Sequence, residues 1–179
     1  MAKAHKLPCL EYLNECFTPD YERGILVWNK RPRYHFETDE GCKRFTHRHV
    51  GREAGSLTET GYIKVMIGAK KYLAHRIMLY MFYGVPPTDE VDHKNGDRSD
   101  NRILNLRYAT KSQNQHNARL RKDNSTGFKC VHKLGNRFRA VFEKDGKRYD
   151  LGVFGTPEEA HKAYVKEVRK LHGEFTKVE

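Results

Sequence analysis

Glu90-Val91-Asp92-His93-Lys94-Asn95-Gly96-Asp97-Arg98-Ser99-Asp100-Asn101-Arg102-Ile103-Leu104-Asn105-Leu106-Arg107-Tyr108-Ala109-Thr110 gathers more Asp, Asn and His than an ordinary loop holds. Leu106-Arg107-Tyr108-Ala109 reads as a short strand. Thr110, with Gln113 three residues on, forms a capping box that opens a helix carrying Asn114 and Asn117. The local plan is strand, loop, strand, helix. Because the hairpin folds back on the helix, Asp92 at the end of the first strand is expected to meet Asn114, 22 residues later.

One charged and one neutral oxygen ligand leave most of a hard cation's octahedron to water and phosphate, the way Mg²⁺ prefers to be held. Such a site suits phosphodiesters. Pleat alternation turns His93 to the opposite side of its strand from Asp92, where it can deprotonate a water while the ion neutralises the leaving oxygen. An ordinary imidazole pKa of ~6.5 leaves the neutral, base-competent form dominant at pH 7. Asn101 and Asn105 are expected to hold the loop through side-chain to backbone hydrogen bonds. A calcium loop starting at Asp92 would need an oxygen ligand at its third position and Glu at its twelfth, where Lys94 and Ile103 stand.

Upstream, Ile63, Val65 and Ile67 alternate with polar or exposed positions as in a strand with one buried face. A turn at Gly68-Ala69-Lys70-Lys71 and a returning strand Tyr72-Leu73-Ala74 complete a hairpin. Ile77 to Phe82 is apolar all round and is followed by Gly84 and Pro86-Pro87, which predicts a buried helix. His75 and Arg76 begin it. His75 reads as a hydrogen-bonded structural residue, whereas Arg76 is a candidate phosphate contact. Nearer the start, a helical turn at Leu10-Glu11-Tyr12-Leu13, a turn at Thr18-Pro19-Asp20 and a strand at Gly24 to Trp28 make a loop-rich, β-containing approach. Lys30 to Arg52 interleaves Arg, Lys and His with Tyr34, Phe36 and Phe45, the composition of a phosphate-following loop with bases stacked on it, or of a solvated loop.

After a polar tract, Arg119 to Thr126, come three strand candidates, Lys129 to Lys133, Arg137 to Glu143 and Lys147 to Phe154, joined by the turns Leu134-Gly135-Asn136 and Lys144-Asp145-Gly146. A helix follows, with Thr156 as N-cap, Pro157 at its first position, Glu159 closing a capping box and Gly173 past its end. Ala160 and Ala163 let it lie close on one sheet face.

The 179 residues carry a formal charge of +11, with 37% hydrophobic and 32% charged residues. That composition excludes a membrane protein. The excess of Lys and Arg on both sides of Leu120 points to a polyanionic partner. Cys9, Cys16, Cys42 and Cys130 form no Cys-x-x-Cys pair, and their irregular spacing with His47 or His49 argues against structural zinc, so reduced thiols in a cytoplasm are expected.

At Asp92-His93-Lys94-Asn95-Gly96-Asp97, Asp100-Asn101-Arg102, Asn105-Leu106-Arg107 and Gln113-Asn114-x-x-Asn117 the chain resembles the HNH endonucleases, specifically the phage free-standing and intron-encoded subfamily. The resemblance spans residues 61 to 118 and implies a ββα-metal unit in which His93 is the general base. It makes Asp92 and Asn114 the ligands of one Mg²⁺ or Mn²⁺, and Asn105 the residue orienting the histidine loop. A second resemblance rests on Gly127 to Val131, Arg137 to Phe142 and the ending Leu151-Gly152-Val153-Phe154-Gly155-Thr156-Pro157-Glu158-Glu159-Ala160-x-x-Ala163-Tyr164, which is similar to an AP2 DNA-binding domain. It implies a sheet whose open face enters the major groove, with Lys129, Arg137, Arg139 and Arg148 outward and Phe138, Ala140, Phe142, Tyr149 and Leu151 on the core side. Cys130 stands where that family usually has Gly.

The expectation is therefore an α+β chain with a β-rich N-terminal region (1–60), an HNH domain (61–118), a linker (119–126) and an AP2-like domain (127–179). The implied activity is metal-dependent hydrolysis of phosphodiesters in duplex DNA, of a phage homing, nicking type. The alternatives are a DNA-binding regulator that keeps a nuclease-like fold without catalysis, and an RNA-binding protein, which the lack of stacking aromatics on the sheet's charged face disfavours. His93, Asn105 and Asn101 are the catalytic candidates, and Arg76 and Arg107 join the four sheet residues as DNA contacts. A monomer in a host cytoplasm, with no membrane or small-molecule partner, completes the reading.

Overall fold

A computed structural model describes residues 6–110, 113–114, 120, 123–144 and 146–172. Two compact units divide the chain, Met1–Tyr108 and Ala109–Glu179.

The first unit opens with helix α1 (Leu10–Cys16), which runs directly into strand β1 (Phe17–Asp20), paired antiparallel with β2 (Ile25–Trp28). The turn expected at Thr18-Pro19-Asp20 is extended strand. Pro19 fits because the pair has only two strands, where a missing N–H is tolerated, and the chain reverses after Asp20, whose carboxylate accepts the Arg23 N–H at 3.0 Å.

Residues expected to form a basic loop contain helix α2 (Asp39–His49). Its stability is local: Thr38 Oγ1 accepts the Gly41 N–H (3.0 Å), and Asp39 and Glu40 in the first turn and Arg48 in the last place charges that oppose the helix dipole. From it Phe45 packs onto the core, edge-on to Trp28 with ring centroids 5.1 Å apart, and the His49 ring lies 6.2 Å from the same indole. The interleaving of Arg with aromatics is consumed internally at Arg31. This buried guanidinium lies 4.8 to 5.9 Å from the rings of Phe36, Phe45, Tyr12 and Trp28 and donates to Tyr12 Oη at 2.8 Å.

Strands β3 (Ser56–Leu57), β4 (Ile63–Ile67) and β5 (Lys70–Leu73) form a three-stranded antiparallel sheet. Ile67 pairs with Lys70, so the hairpin loop is only Gly68-Ala69, and Ala74 already belongs to helix α3 (Ala74–Tyr83). That helix ends at Gly84 (φ +70°), a conformation in which a Cβ would be strained, and its N–H returns to the Tyr80 carbonyl. Strands β6 (Glu90–His93) and β7 (Leu106–Ala109) pair as a two-stranded sheet. One core joins Leu13, Phe17, Leu26 and Trp28 to Val65, Ile77, Met78, Val91 and Leu106, so it crosses the division expected at residue 60.

In the second unit, β8 (Val131–Leu134), β9 (Arg137–Lys144) and β10 (Lys147–Phe154) form an antiparallel sheet in the order β10-β9-β8, followed by helix α4 (Pro157–His172). Phe138, Ala140, Phe142, Tyr149 and Leu151 all lie in the clusters packed around Ala160, Tyr164 and Val168 of α4. A bulge between Asp150 and Gly152 keeps Leu151 on that face. Thr156 and Glu159 close the capping box, Oγ1 accepting the Glu159 N–H at 3.2 Å and the Glu159 carboxylate accepting the Thr156 N–H at 3.3 Å. Cys130 has φ +56°, the left-handed region that suits Gly. The linker residues 119, 121 and 122, Asn117, Asp145 and Gly173 lie outside the described residues.

Candidate nuclease site

Strand β6 delivers Asp92 and His93 as adjacent residues, 3% and 4% exposed. The alternation that separates their faces is present, but both faces are covered. Arg107, on the paired strand, donates from Nε to Asp92 Oδ2 at 2.8 Å, in a pair whose side chains are 11% and 4% exposed. A residue expected on a phosphate therefore neutralises the proposed ligand, because pairing β6 with β7 brings the two together across 15 residues. Arg76 is likewise engaged: its guanidinium donates to the carbonyls of Pro87 (2.8 Å) and Asp89 (2.9 Å), clamping the approach to β6, and burial pulls its pKa down.

His93 donates from Nε2 to Asn101 Oδ1 at 3.1 Å. That bond selects the tautomer in which Nδ1 is the basic nitrogen. Burial pushes the imidazole pKa down, and the Asn101 bond together with the nearby Asp92, Asp100 and Asp97 charges opposes it. The ring therefore stays neutral and able to accept a proton at pH 7.

The loop between the strands is a chain of short Asx turns. Asn95 Oδ1 accepts the Asp97 N–H (2.8 Å), Asp97 Oδ1 accepts the Ser99 N–H (2.9 Å), and Asn95 Nδ2 donates to the Asp100 carboxylate (2.7 Å). The Arg102 guanidinium beside it holds the Asp100 carboxyl down at about 2. Asn105 ties both ends: its Oδ1 accepts the Asn95 N–H (2.9 Å), and its Nδ2 donates to the Asp100 carbonyl (2.7 Å). Asn105 thus braces the loop as expected, whereas Asn101, expected to do the same, is the amide that touches the imidazole.

Past β7, Thr110 and Gln113 form the anticipated reciprocal box, with the Thr110 N–H to Gln113 Oε1 at 2.8 Å and the Gln113 N–H to Thr110 Oγ1 at 3.2 Å. The Asn114 N–H reaches the Thr110 carbonyl at 3.0 Å, and Asn114 belongs to the second unit. Among the described residues, no group of three or more His, Cys, Asp and Glu side chains is gathered for a metal.

Residues 72–116 match the HNH endonuclease family model. The matched segment runs from β5 through α3, β6 and β7 to just past the capping box and contains Asp92, His93, Asn101, Asn105, Arg107 and Asn114. A protein of Acanthamoeba polyphaga mimivirus, named an uncharacterized HNH endonuclease (L560), is 33% identical over 122 residues, 66% of this chain, and the chain spans 63% of that protein's length. A solved structure of the HNH homing endonuclease I-HmuI, described as showing DNA binding and cleavage, overlaps 84% of this chain and 82% of its own at 19% identity and a TM-score of 0.38.

In the second unit, Arg137 (opposite Leu134), Arg139 (opposite Val153) and Arg148 (opposite Glu143) share the sheet face turned away from α4. Arg139 pairs with Asp150 on that face. Lys129 precedes β8 and is half-buried. His132, absent from the expected DNA contacts, stands across from Arg139 and helps to line a shallow groove of about 250 Å³ with Arg139, Val141 and Arg148. Strand alternation is the signal that could have found it. No helix among the described residues is long and apolar enough to cross a membrane.

Proposed function

We propose that the protein is a metal-dependent endonuclease hydrolysing phosphodiester bonds in duplex DNA, of the phage homing type, leaving a nick. The observation that carries this reading is a neutral imidazole, His93, oriented by Asn101 and adjacent to the buried carboxylate of Asp92, within the HNH segment. His93 Nδ1 takes the proton of the attacking water, while Asn101 holds Nε2–H and supports the imidazolium that forms. Asn105 keeps the loop in register. A carboxylate and an amide oxygen are hard donors that fit Mg²⁺ or Mn²⁺, so Asp92 and Asn114 are assigned as the ligands. When bound, a divalent cation would supply charge neutralisation for the phosphate and its leaving oxygen. Arg107 holds the Asp92 carboxylate in place until then.

The second unit is assigned as an AP2-like reader whose outer face, with Arg137, Arg139 and Arg148, meets the major groove, and Lys129 adds a backbone contact. Tethering such a module to the nuclease raises the local concentration of each on DNA. A second reading, a DNA-binding regulator without catalysis, is favoured by one observation: Asp92 and His93 are both covered, and Asp92 is ion-paired. Supercoiled plasmid incubated with the protein and Mg²⁺ or Mn²⁺ separates the two. Nicking that EDTA stops and His93→Ala abolishes, with DNA binding intact, is expected. Binding without nicking under every metal tested favours the regulator.

A further inference from the structure

His75, the second residue of α3, is 4% exposed, and its Nδ1 finds no hydrogen-bond partner among the described residues. Burying an imidazole nitrogen unpaired is unfavourable, and a Phe or Leu would fill the same space without that cost. The ring packs edge-to-face on the His93 imidazole, with centroids 4.9 Å apart and planes at 82°. Tyr62 closes the group, 5.2 Å from His75 and 6.0 Å from His93. The adjoining Arg76 clamps the Pro87 and Asp89 carbonyls that lead into β6. The first turn of α3 therefore holds the His93 strand at two points, once through its backbone approach and once through the ring itself.

We propose that His75 is a positioning residue for His93, a second imidazole that fixes the plane of the first and keeps a hydrogen-bonding nitrogen beside it. Burial holds His75 neutral, with its pKa pushed down to about 3, so it adds no positive charge next to the base. A rotating His93 would lose the alignment of Nε2 with Asn101 and with it the tautomer in which Nδ1 is the basic nitrogen. The inference rests on the nuclease reading for its kinetic consequence, but the ring geometry stands apart from activity.

The test uses the full chain with His75→Phe and His75→Asn. Single-turnover cleavage of duplex DNA with Mg²⁺ is expected to fall about 10–100-fold in the Phe variant, the range seen when a residue orienting a functional side chain is lost, with unchanged DNA affinity and no loss of thermal stability. His75→Asn, which returns a polar group near the Nδ1 position, is expected to recover most of the rate. Imidazole ¹⁵N shifts give a readout free of catalysis: one His93 tautomer in the parent and a mixture in His75→Phe. A Phe variant that keeps both the single tautomer and the parental rate overturns the inference. A His93→Ala protein that cleaves normally overturns the assignment of the base instead, while the tautomer measurement still decides the role of His75.

Discussion

Acidification from pH 7 to pH 4.5 should remove stability from the first unit through its buried neutral imidazoles. Burial lowers the His75 pKa to about 3, with the His93 and Arg76 charges adding to the effect, and burial also lowers that of His93. In the unfolded chain both titrate near ~6.5. Below that pH the unfolded state takes up protons that the fold refuses, so stability is lost as the pH falls through ~6.5 and goes on falling toward the folded value. For His75 alone the gap amounts to about 2–3 kcal/mol between pH 7 and 4.5, since each pH unit is worth ~1.4 kcal/mol once the unfolded imidazole is charged. For a unit of this size that is a Tm difference of roughly 10–20 °C. Carboxylates titrate in the same range, so the comparison is between the parent and His75→Phe, melted at both pH values and followed by circular dichroism. The parent should lose more than the variant by that amount. Equal losses would refute the claim that the fold keeps His75 uncharged.

Arg107→Leu leaves the Asp92 carboxylate buried without its cation and should cost about 3–5 kcal/mol in urea unfolding, with Asp92→Asn in the same chain recovering part of it. Gly24→Ala would place a Cβ 2.4 Å from the Arg102 nitrogen and 2.5 Å from the Asn101 carbonyl carbon at φ +73°. The Asn101 peptide must then move, so stability should drop by at least about 1–3 kcal/mol and the His93 ring signals should shift; an unshifted ring would show that Gly24 does not support the loop. Asn105→Ala removes both loop ties and should cost about 1–3 kcal/mol, with faster amide exchange at Asn95, whose N–H loses its acceptor.

The parts legible in the sequence are those decided over a few residues. Helix α3 and its Gly84 stop, the capping boxes at Thr110 and Thr156, and the alternation that sorts Phe138, Ala140 and Phe142 from Arg137 and Arg139 each follow from spacing alone. Helix α2 is hidden because none of its residues is fully buried and its contact with the core is made by the rings of Phe45 and His49 on Trp28, so charged residues mask its thin apolar face and it leans on the Thr38 cap and end charges. The fate of the cations was equally hidden. Arg31, Arg76 and Arg107 look alike in a basic sequence, yet each is spent inside the fold, on an aromatic cage, two carbonyls and a carboxylate. Periodicity states which face a residue takes; it does not state which distant partner waits there. His75 belongs to the same class, since its contact with His93 depends on how α3 meets β6.

The core that runs from Leu13 to Leu106 bears on engineering. A two-stranded ribbon such as β6 with β7 is marginal by itself. Excised at residue 61, it would strand Val65, Ile77 and Met78 against water where Leu13, Phe17 and Leu26 had covered them. A portable piece therefore has to include the first unit together with the residues that follow it through Asn114, and a graft of the β6–β7 ribbon into a foreign scaffold must bring its N-terminal buttress along.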